Sequence, residues 1–163
     1  MKNVVFRLPP GVKCISVNNS IIIKGLAGEV KIFIPTRFIQ KSQTIRFSRS
    51  LNWSELVRFK QAIIGVSISY VTELQLKGVG FKIDRIRDKL VLKLGYSHLL
   101  TVLIPRVVKV SFYKNRIYLS SASLIDLKNF SSTIRNLSIP DNYKGQGILY
   151  KDELILKKEG KKG

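Results

Sequence analysis

The chain has 163 residues and 45% of them are hydrophobic, which is enough for one domain, or two small ones, with a buried core. A disordered basic tail is excluded, because such segments contain few Ile, Val, Leu and Phe residues. Lys and Arg number 29 against 10 acidic residues, and the formal net charge of +19 predicts a polyanionic partner, nucleic acid before an anionic membrane surface.

The first half of the chain predicts five strands followed by one helix. β-branched residues and alternation of apolar with polar side chains favour strands, which are expected over residues 12–17, 21–25, 29–34, 37–40 and 44–47. The helix is expected from Asn52 to about Tyr70, because apolar residues recur there at three- and four-residue spacing. Cys14 has no partner for an internal disulfide and is expected to be a small buried residue on a strand.

The second half repeats this order of elements. Its strands are expected over residues 79–86, 89–94, 99–104, 107–112 and 116–120, followed by a helix from Ser123 to about Leu137. The two halves share short sequences at a spacing of about 70 residues, including an Ile-Pro pair at the end of the third strand of each.

This internal repeat predicts an α+β fold made of two tandem similar domains that arose by duplication. The domains are expected to cover residues 1–72 and 73–163. Each is expected to be a mainly antiparallel sheet covered on one face by one helix, because each helix has a single apolar stripe to bury.

Catalysis and metal binding have few candidate residues. One histidine and one cysteine exclude a Cys/His metal cluster. Gly78-Val79-Gly80 lacks the third glycine of a dinucleotide loop and the lysine and hydroxyl of a P-loop, so Lys77–Gly80 is expected to be a bulge or a close packing site at the start of a strand. We therefore expect no enzymatic activity, no cofactor and no metal site.

The last quarter of the chain contains the best candidate for a binding site. Tyr143, Lys144, Gly145, Gln146 and Gly147 combine an aromatic ring, a cation and two flexible glycines in a predicted loop, with Tyr150 shortly after. Glycine lets the backbone approach a phosphate closely, lysine supplies charge, and an aromatic ring can stack on a base. Four lysines follow, which would add salt-sensitive affinity for a polyanion or form only a frayed tail: Lys157, Lys158, Lys161 and Lys162.

A second candidate is the loop between two predicted strands that contains Ser97 and His98. His98 is either a polar loop residue with a local hydrogen bond or a contact to RNA backbone or base. The sequence leaves both interpretations open.

Four segments match a known pattern: Leu74–Phe81, Leu94–His98, Tyr143–Glu153 and Lys157–Lys162. Through them the chain resembles the L-six family of large-subunit ribosomal proteins, whose pattern at the third segment is close to Pro-Tyr-Lys-Gly-Lys-Gly-Ile-Arg-Tyr-x-x-Glu. The resemblance covers nearly the whole chain and is specific in the second half. Asn142, Gln146 and Leu149 replace a proline, a lysine and an arginine of that pattern, which removes charge from the expected contact.

The resemblance implies two similar α+β domains without enzymatic activity. It also implies binding to large-subunit rRNA, chiefly through the second domain, near the sarcin–ricin loop and the base of the factor-binding stalk. Ser97, His98, the 143–147 loop, Tyr150 and the terminal lysines would then be RNA contacts. Neighbouring large-subunit ribosomal proteins would be further partners, and no homo-oligomer is expected.

The composition is rich in Ile, Asn, Lys, Ser, Phe and Tyr, as an AT-rich genome would produce. We therefore expect an organelle-encoded protein of the mitochondrion, with a plastid or a bacterial cytoplasm as alternatives. No secretory signal is expected in the first ten residues, and no apolar run approaches the roughly 20 residues of a membrane span. The competing function is a basic module for anionic membranes or acidic proteins, whose signature would be a basic amphipathic helix.

Overall fold

The computed structural model describes residues 5–18, 20–41 and 43–160 and divides the chain into two compact units. The first unit runs to Tyr70 and also contains Ser121–Leu124, and the second contains the remaining residues from Val71 onward. Sheet pairing is mainly antiparallel, and the described residues form two helices, so the predicted α+β class is confirmed.

The first unit contains two three-stranded sheets and one helix. β2, β3 and β4 form an antiparallel meander, and β1, β6 and β5 pair in that order as a second antiparallel sheet. The helix α1 packs against β3 and β4. The elements are β1 Val5–Arg7, β2 Lys13–Val17, β3 Ser20–Gly25, β4 Gly28–Phe33, β5 Phe38–Lys41, β6 Thr44–Phe47 and α1 Trp53–Ile68.

The core of the first unit forms where the apolar stripe of α1 meets the alternating residues of the strands. Phe59 and Val66 of α1 are fully buried beside Ile23 of β3, and burying a side chain of this size contributes about 2 kcal/mol. The rings of Phe47 and Phe59 meet edge to face with their centroids 5.2 Å apart. Cys14 is buried on β2, as predicted, and burial raises the pKa of its thiol to about 11.

The second unit has the same succession of a strand, a three-stranded meander, a hairpin and a helix, followed by one more strand. β8, β9 and β10 form the antiparallel meander, and the second sheet has the order β11-β12-β7-β13. Leu127, Phe130 and Ile134 are the buried apolar residues of α2. The elements are β7 Tyr70–Lys77, β8 Lys82–Ile86, β9 Lys89–Lys93, β10 Leu100–Leu103, β11 Lys109–Tyr113, β12 Arg116–Ser121, α2 Leu124–Asn136 and β13 Gly147–Tyr150.

Three strands were not expected from the sequence: β1, β7 and β13. The predicted domain boundary after residue 72 lies within β7, two residues from the division between the compact units at Tyr70 and Val71. Val79 lies in a turn before β8, where Gly80 adopts a φ of +75°, and not in the strand predicted to begin there. The matching order of elements in the two units supports the duplication, which stays a hypothesis.

Candidate nucleic-acid interface

The loop that joins α2 to β13 is organised by Asp141. One carboxylate oxygen of Asp141 accepts the N–H of Tyr143 and the other accepts the N–H of Lys144, each at 3.2 Å. The backbone of Asp141 closes the loop, since its N–H donates to the carbonyl of Gln146 at 2.9 Å and its carbonyl accepts the N–H of Gly145 at 2.8 Å. The two N–H donors, that of Tyr143 before that of Lys144, hold the pKa of Asp141 below its ordinary value.

The two glycines of the loop have backbone conformations that other residues rarely adopt. Gly145 has a φ of +69° and Gly147 a φ of +146°. A Cβ at Gly147 would lie 2.6 Å from the Cα of Pro140, so the chain there also requires the absence of a side chain. These constraints leave Tyr143 and Lys144 exposed at the tip of a defined loop.

The chain that follows β13 returns alongside this loop. The N–H of Lys158 donates to the carbonyl of Asn142 at 3.1 Å. The Cε of Lys157 lies 3.4 Å from the position that a Cβ on Gly145 would occupy. Lys144 and Lys157 therefore lie on the same side of the second unit, although 13 positions separate them in the sequence.

A groove of about 410 Å³ lies between the loop and the returning chain. Three of its lining residues are lysines, and Val79 and Leu154 at its edge are almost fully exposed. The one lining carboxylate is that of Glu153, which is paired with Arg135, so the free charge of the groove is positive. The three lining lysines, Lys77, Lys144 and Lys157, are all exposed.

Lys77 enters the groove through the register of the sheet. β13 pairs with β7 so that Gly147 lies opposite Lys77. The two similar segments, Lys77–Gly80 and Lys144–Gly147, are therefore neighbours in the fold. The sequence predicts only a bulge or a packing site for the first segment, so it does not predict the contribution of Lys77.

The loop that contains Ser97 and His98 connects β9 to β10, and both residues are exposed. The rings of Tyr96 and His98 are stacked, with centroids 6.3 Å apart and 27° between their planes. The hydroxyl of Tyr96 donates to the carbonyl of Leu137 at 3.1 Å, just beyond the end of α2. This hydrogen bond connects the 95–98 loop to the segment that leads into the Asp141 loop.

Tyr150 and Glu153 attach the end of β13 to α2. The half-buried ring of Tyr150 lies near two cations, the Nζ of Lys128 at 6.0 Å and the guanidinium of Arg135 at 5.7 Å. Glu153 accepts hydrogen bonds from Arg135 and from the N–H of Tyr150, which together lower the pKa of its carboxyl group. Tyr150 is thus held within the unit, whereas the exposed ring of Tyr143 has a free surface for a base.

The structure groups the predicted site residues by exposure. Gly145 and Gly147 are buried, and Tyr150 is half-buried, whereas the others within the described ranges are exposed: Ser97, His98, Tyr143, Lys144, Gln146, Lys157 and Lys158. Lys161 and Lys162 lie outside the residues that the structure describes. Two residues that sequence reasoning missed are Lys77 and Asp141, and the signal for Asp141 was a turn-favouring acid directly after Pro140.

The described ranges contain no group of three or more His, Cys, Asp or Glu side chains able to hold a metal ion. Neither of the helices in these ranges is long and apolar enough to cross a membrane.

Asp141→Ala is expected to speed amide hydrogen exchange of Tyr143 and Lys144 several-fold, because both lose an acceptor.

The same carboxylate makes the order of the loop depend on pH. Its pKa is lowered in the fold, so the stabilisation is complete above the ordinary value of 3.8 and is lost as the pH falls through the lower, folded value. A carboxyl-carbon NMR titration measures that value directly.

Asp152→Ala is the matched control, since Asp152 is an exposed acid close in sequence. It should leave both amides unchanged. A measured pKa of Asp141 at or above 3.8, or equal exchange in the two variants, would show that its carboxylate does not organise the loop.

No family model matches the chain. Individual proteins do match it over most of its length. It is 32% identical to large ribosomal subunit protein uL6 of Lacticaseibacillus casei over 98% of its own length and 96% of the relative. It is 35% identical to large ribosomal subunit protein uL6c of Phaeodactylum tricornutum over 90% of its own length and 89% of the relative. The chain belongs to the uL6 family.

Membership of the uL6 family confirms the resemblance found in the sequence. The uL6 proteins are structural ribosomal proteins and not enzymes. A further relative is uL6c of Arabidopsis thaliana, 32% identical over 86% of this chain and 69% of the relative. These relatives are bacterial or plastid proteins, so the expected mitochondrial location finds no support among them, whereas the plastid and bacterial alternatives do.

Proposed function

We propose that this protein is a structural constituent of the large ribosomal subunit and binds large-subunit rRNA through its second unit. The proposed contact is near the sarcin–ricin loop and the base of the stalk, where it would stabilise the region that elongation factors use in translation. Its partners are then the rRNA and the neighbouring large-subunit proteins. The names of the uL6 relatives support the ribosomal role, and the geometry of the second unit supports the RNA contact.

The observation that best supports an RNA contact is the convergence of Lys144 and Lys157 on either side of Gly145. Both lysines are exposed and line one groove, so their charges can bind the same stretch of phosphate backbone, whereas Gly145 itself is buried beneath Lys157. Tyr143 is exposed beside them and offers a ring face to an unpaired base. Contacts of this kind recognise the backbone and shape of folded RNA more than its sequence.

Ser97 and His98 extend this surface, because the hydrogen bond of Tyr96 ties their loop to the end of α2. Of the two interpretations of His98 that the sequence leaves open, we propose the contact to RNA. Lys158, Lys161 and Lys162 would add positive charge beyond the groove. Gln146 lines the groove without charge, so the contact relies on Lys77 where the family pattern would supply a second loop lysine.

The relatives favour a ribosome of bacterial or plastid type, and a mitochondrial location rests on composition alone. The membrane-binding alternative needed the apolar stripe of α1 for a lipid surface. Phe59 and Val66 of that stripe are buried in the core of the first unit, so the stripe is not available to a lipid surface.

Ultraviolet crosslinking in purified large subunits tests the proposed rRNA site. The peptide containing Tyr143 and Lys144 is expected to crosslink to rRNA nucleotides of the sarcin–ricin region or the stalk base. The peptide containing Lys109 on β11 should not crosslink there. Crosslinks from the 143–144 peptide to a remote rRNA region would reject the position, and their complete absence would reject the loop as a contact.

A further inference from the structure

The β2-β3-β4 meander of the first unit has one covered face and one open face. Cys14, Ile21, Ile23 and Ile32 point to the covered face and are buried in the core. When one face of an antiparallel sheet is solvated, its side chains are normally polar. The open face of this meander departs from that rule.

Four apolar residues of the open face form a continuous group, here called the apolar patch: Ile15, Val17, Ile22 and Phe33. In the sheet register, Ile15 lies opposite Ile22, and Ser20 lies opposite both Val17 and Phe33. Directly paired residues have Cβ atoms about 5 Å apart and diagonal ones roughly 7 Å, which is within reach of an aromatic ring. Ile15 and Ile22 are therefore direct neighbours, Phe33 is diagonal to Ile22, and Ser20 separates Val17 from Phe33. Phe33 is 67% exposed, and Ile15 and Val17 are 46% and 40% exposed.

Lysines border the apolar patch. Lys13 and Lys24 are paired across the register at one end, and Lys31 lies opposite Ile22. The Nζ of Lys24 is 3.0 Å from a carboxylate oxygen of Glu29, which neutralises that cation. Lys13 and Lys31 form no ion pair within the described ranges, so the border of the patch is positive.

A hollow of about 460 Å³ lies at the end of the patch, lined by Val17, Asn18, Ser20, Lys31 and Phe33. The hydroxyl of Ser20 at its floor already donates to the carbonyl of Val17 at 2.9 Å. An apolar group entering the hollow would therefore not leave this hydroxyl without a hydrogen bond. The hollow has the size and lining to hold one large apolar side chain against Phe33.

We propose that the apolar patch is a docking surface for an acidic protein segment that inserts one large apolar side chain into this hollow. Carboxylates of the segment would pair with Lys13 and Lys31, as charge complementarity requires. The patch is mostly aliphatic, and sheets that bind RNA do so with several aromatic rings, of which this face has one. A protein occupant is therefore favoured over RNA. This proposal concerns the first unit and does not depend on the RNA contact proposed for the second.

The second unit supplies an internal control for this surface. On its equivalent meander, Asp84, Val91 and Thr101 occupy the places of Ile15, Ile22 and Lys31, so a carboxylate replaces one apolar side chain and the cation is absent. Leu103 occupies the place that corresponds to Phe33 and is exposed to the same degree, 68% against 67%.

A photoreactive benzophenone amino acid replacing Phe33, and separately Leu103, tests the proposal in the native cells. Irradiation is followed by ribonuclease treatment and mass spectrometry of the crosslinked peptides. Both positions are exposed, so neither replacement disturbs the core. The label at position 33 is expected to crosslink to one protein segment that contains Asp or Glu beside a large apolar residue. Lys31→Glu should reduce that yield several-fold, and Thr101→Glu should not.

Crosslinks from position 33 to RNA, no crosslink at all, or the same products from positions 33 and 103 would overturn the proposal. Sedimentation of the same sample reports separately on the ribosomal role. Crosslinked protein that fails to sediment with large subunits would count against the proposed function, whereas subunit-bound protein with an RNA crosslink at position 33 would count only against the docking surface.

Discussion

Gly147→Ala is expected to lower the free energy of unfolding by about 3 kcal/mol and the melting temperature by roughly 10 °C. Gly147 has a φ of +146°, which is strained for any residue with a Cβ. The added Cβ would also lie 2.6 Å from the Cα and 2.8 Å from the nitrogen of Pro140. Because both atoms belong to the backbone, no side-chain rotation can relieve the contact. Thermal and urea unfolding of the free protein measure the effect.

Substitutions at two other glycines serve as controls for this result. In Gly145→Ala the added Cβ meets only the flexible side chain of Lys157, at 3.4 Å. The free energy of unfolding should therefore fall only by the cost of a positive φ in a residue with a side chain, about 1 kcal/mol. Gly160→Ala meets no atom within 4 Å and should be neutral. If Gly147→Ala were as stable as Gly160→Ala, the close approach of β13 to Pro140 would be incorrect.

The double variant Lys144→Glu with Lys157→Glu is expected to lower affinity for large-subunit rRNA by at least about tenfold at moderate salt. Reversing the charge at both positions replaces two attractive phosphate contacts with electrostatic repulsion at the edge of the groove. A plot of log affinity against log salt concentration has a negative slope, and the magnitude of that slope should decrease by about 1.4 to 1.8, the amount for two lost phosphate contacts. Filter binding with complete large-subunit rRNA, at several salt concentrations, gives both quantities. Either single reversal should cost less, because the contact is distributed.

Lys89→Glu with Lys109→Glu is the matched control for this pair. Both residues are exposed on the second unit, and Lys89 lies at the opposite end of β9 from the 95–98 loop. The control lowers the net charge by the same amount, so a general electrostatic effect would weaken binding equally. Equal losses in the two double variants would mean that the groove is not the contact.

The regular parts of the fold follow from local patterns in the sequence. In β9, Leu90 and Leu92 are buried and alternate with the exposed Lys89 and Lys93, as a strand with one covered face requires. In α1, apolar residues at helical spacing include the buried Phe59 and Val66. Such elements are predictable because burial recurs at every second residue along a strand and at every third or fourth residue along a helix.

β13 could not be predicted in this way. Gly147, Ile148 and Leu149 are consecutive and all buried, so the segment shows no alternation. Its strand conformation depends on pairing with β7, which lies about 70 residues earlier in the chain. β7 does alternate, with Leu74 and Leu76 buried, but the domain boundary predicted after residue 72 falls within it, and no strand is predicted there.

The candidate site was predictable in composition and not in arrangement. The exposed tyrosine and lysine between glycines were visible in the sequence of residues 143–147. Asp141 acquires its role only when the loop closes and brings two N–H groups to its carboxylate. Lys77 reaches the groove only through the register of β13 on β7. Both depend on contacts between segments that no local pattern describes.

The most direct test of the ribosomal role is sedimentation of native lysate on a sucrose gradient, before and after a high-salt wash, with detection of this chain. The proposed role predicts that the protein migrates with the large subunit and remains there through the wash. Migration as a free small protein, or release in mild salt, would contradict a role as an integral constituent of the large subunit.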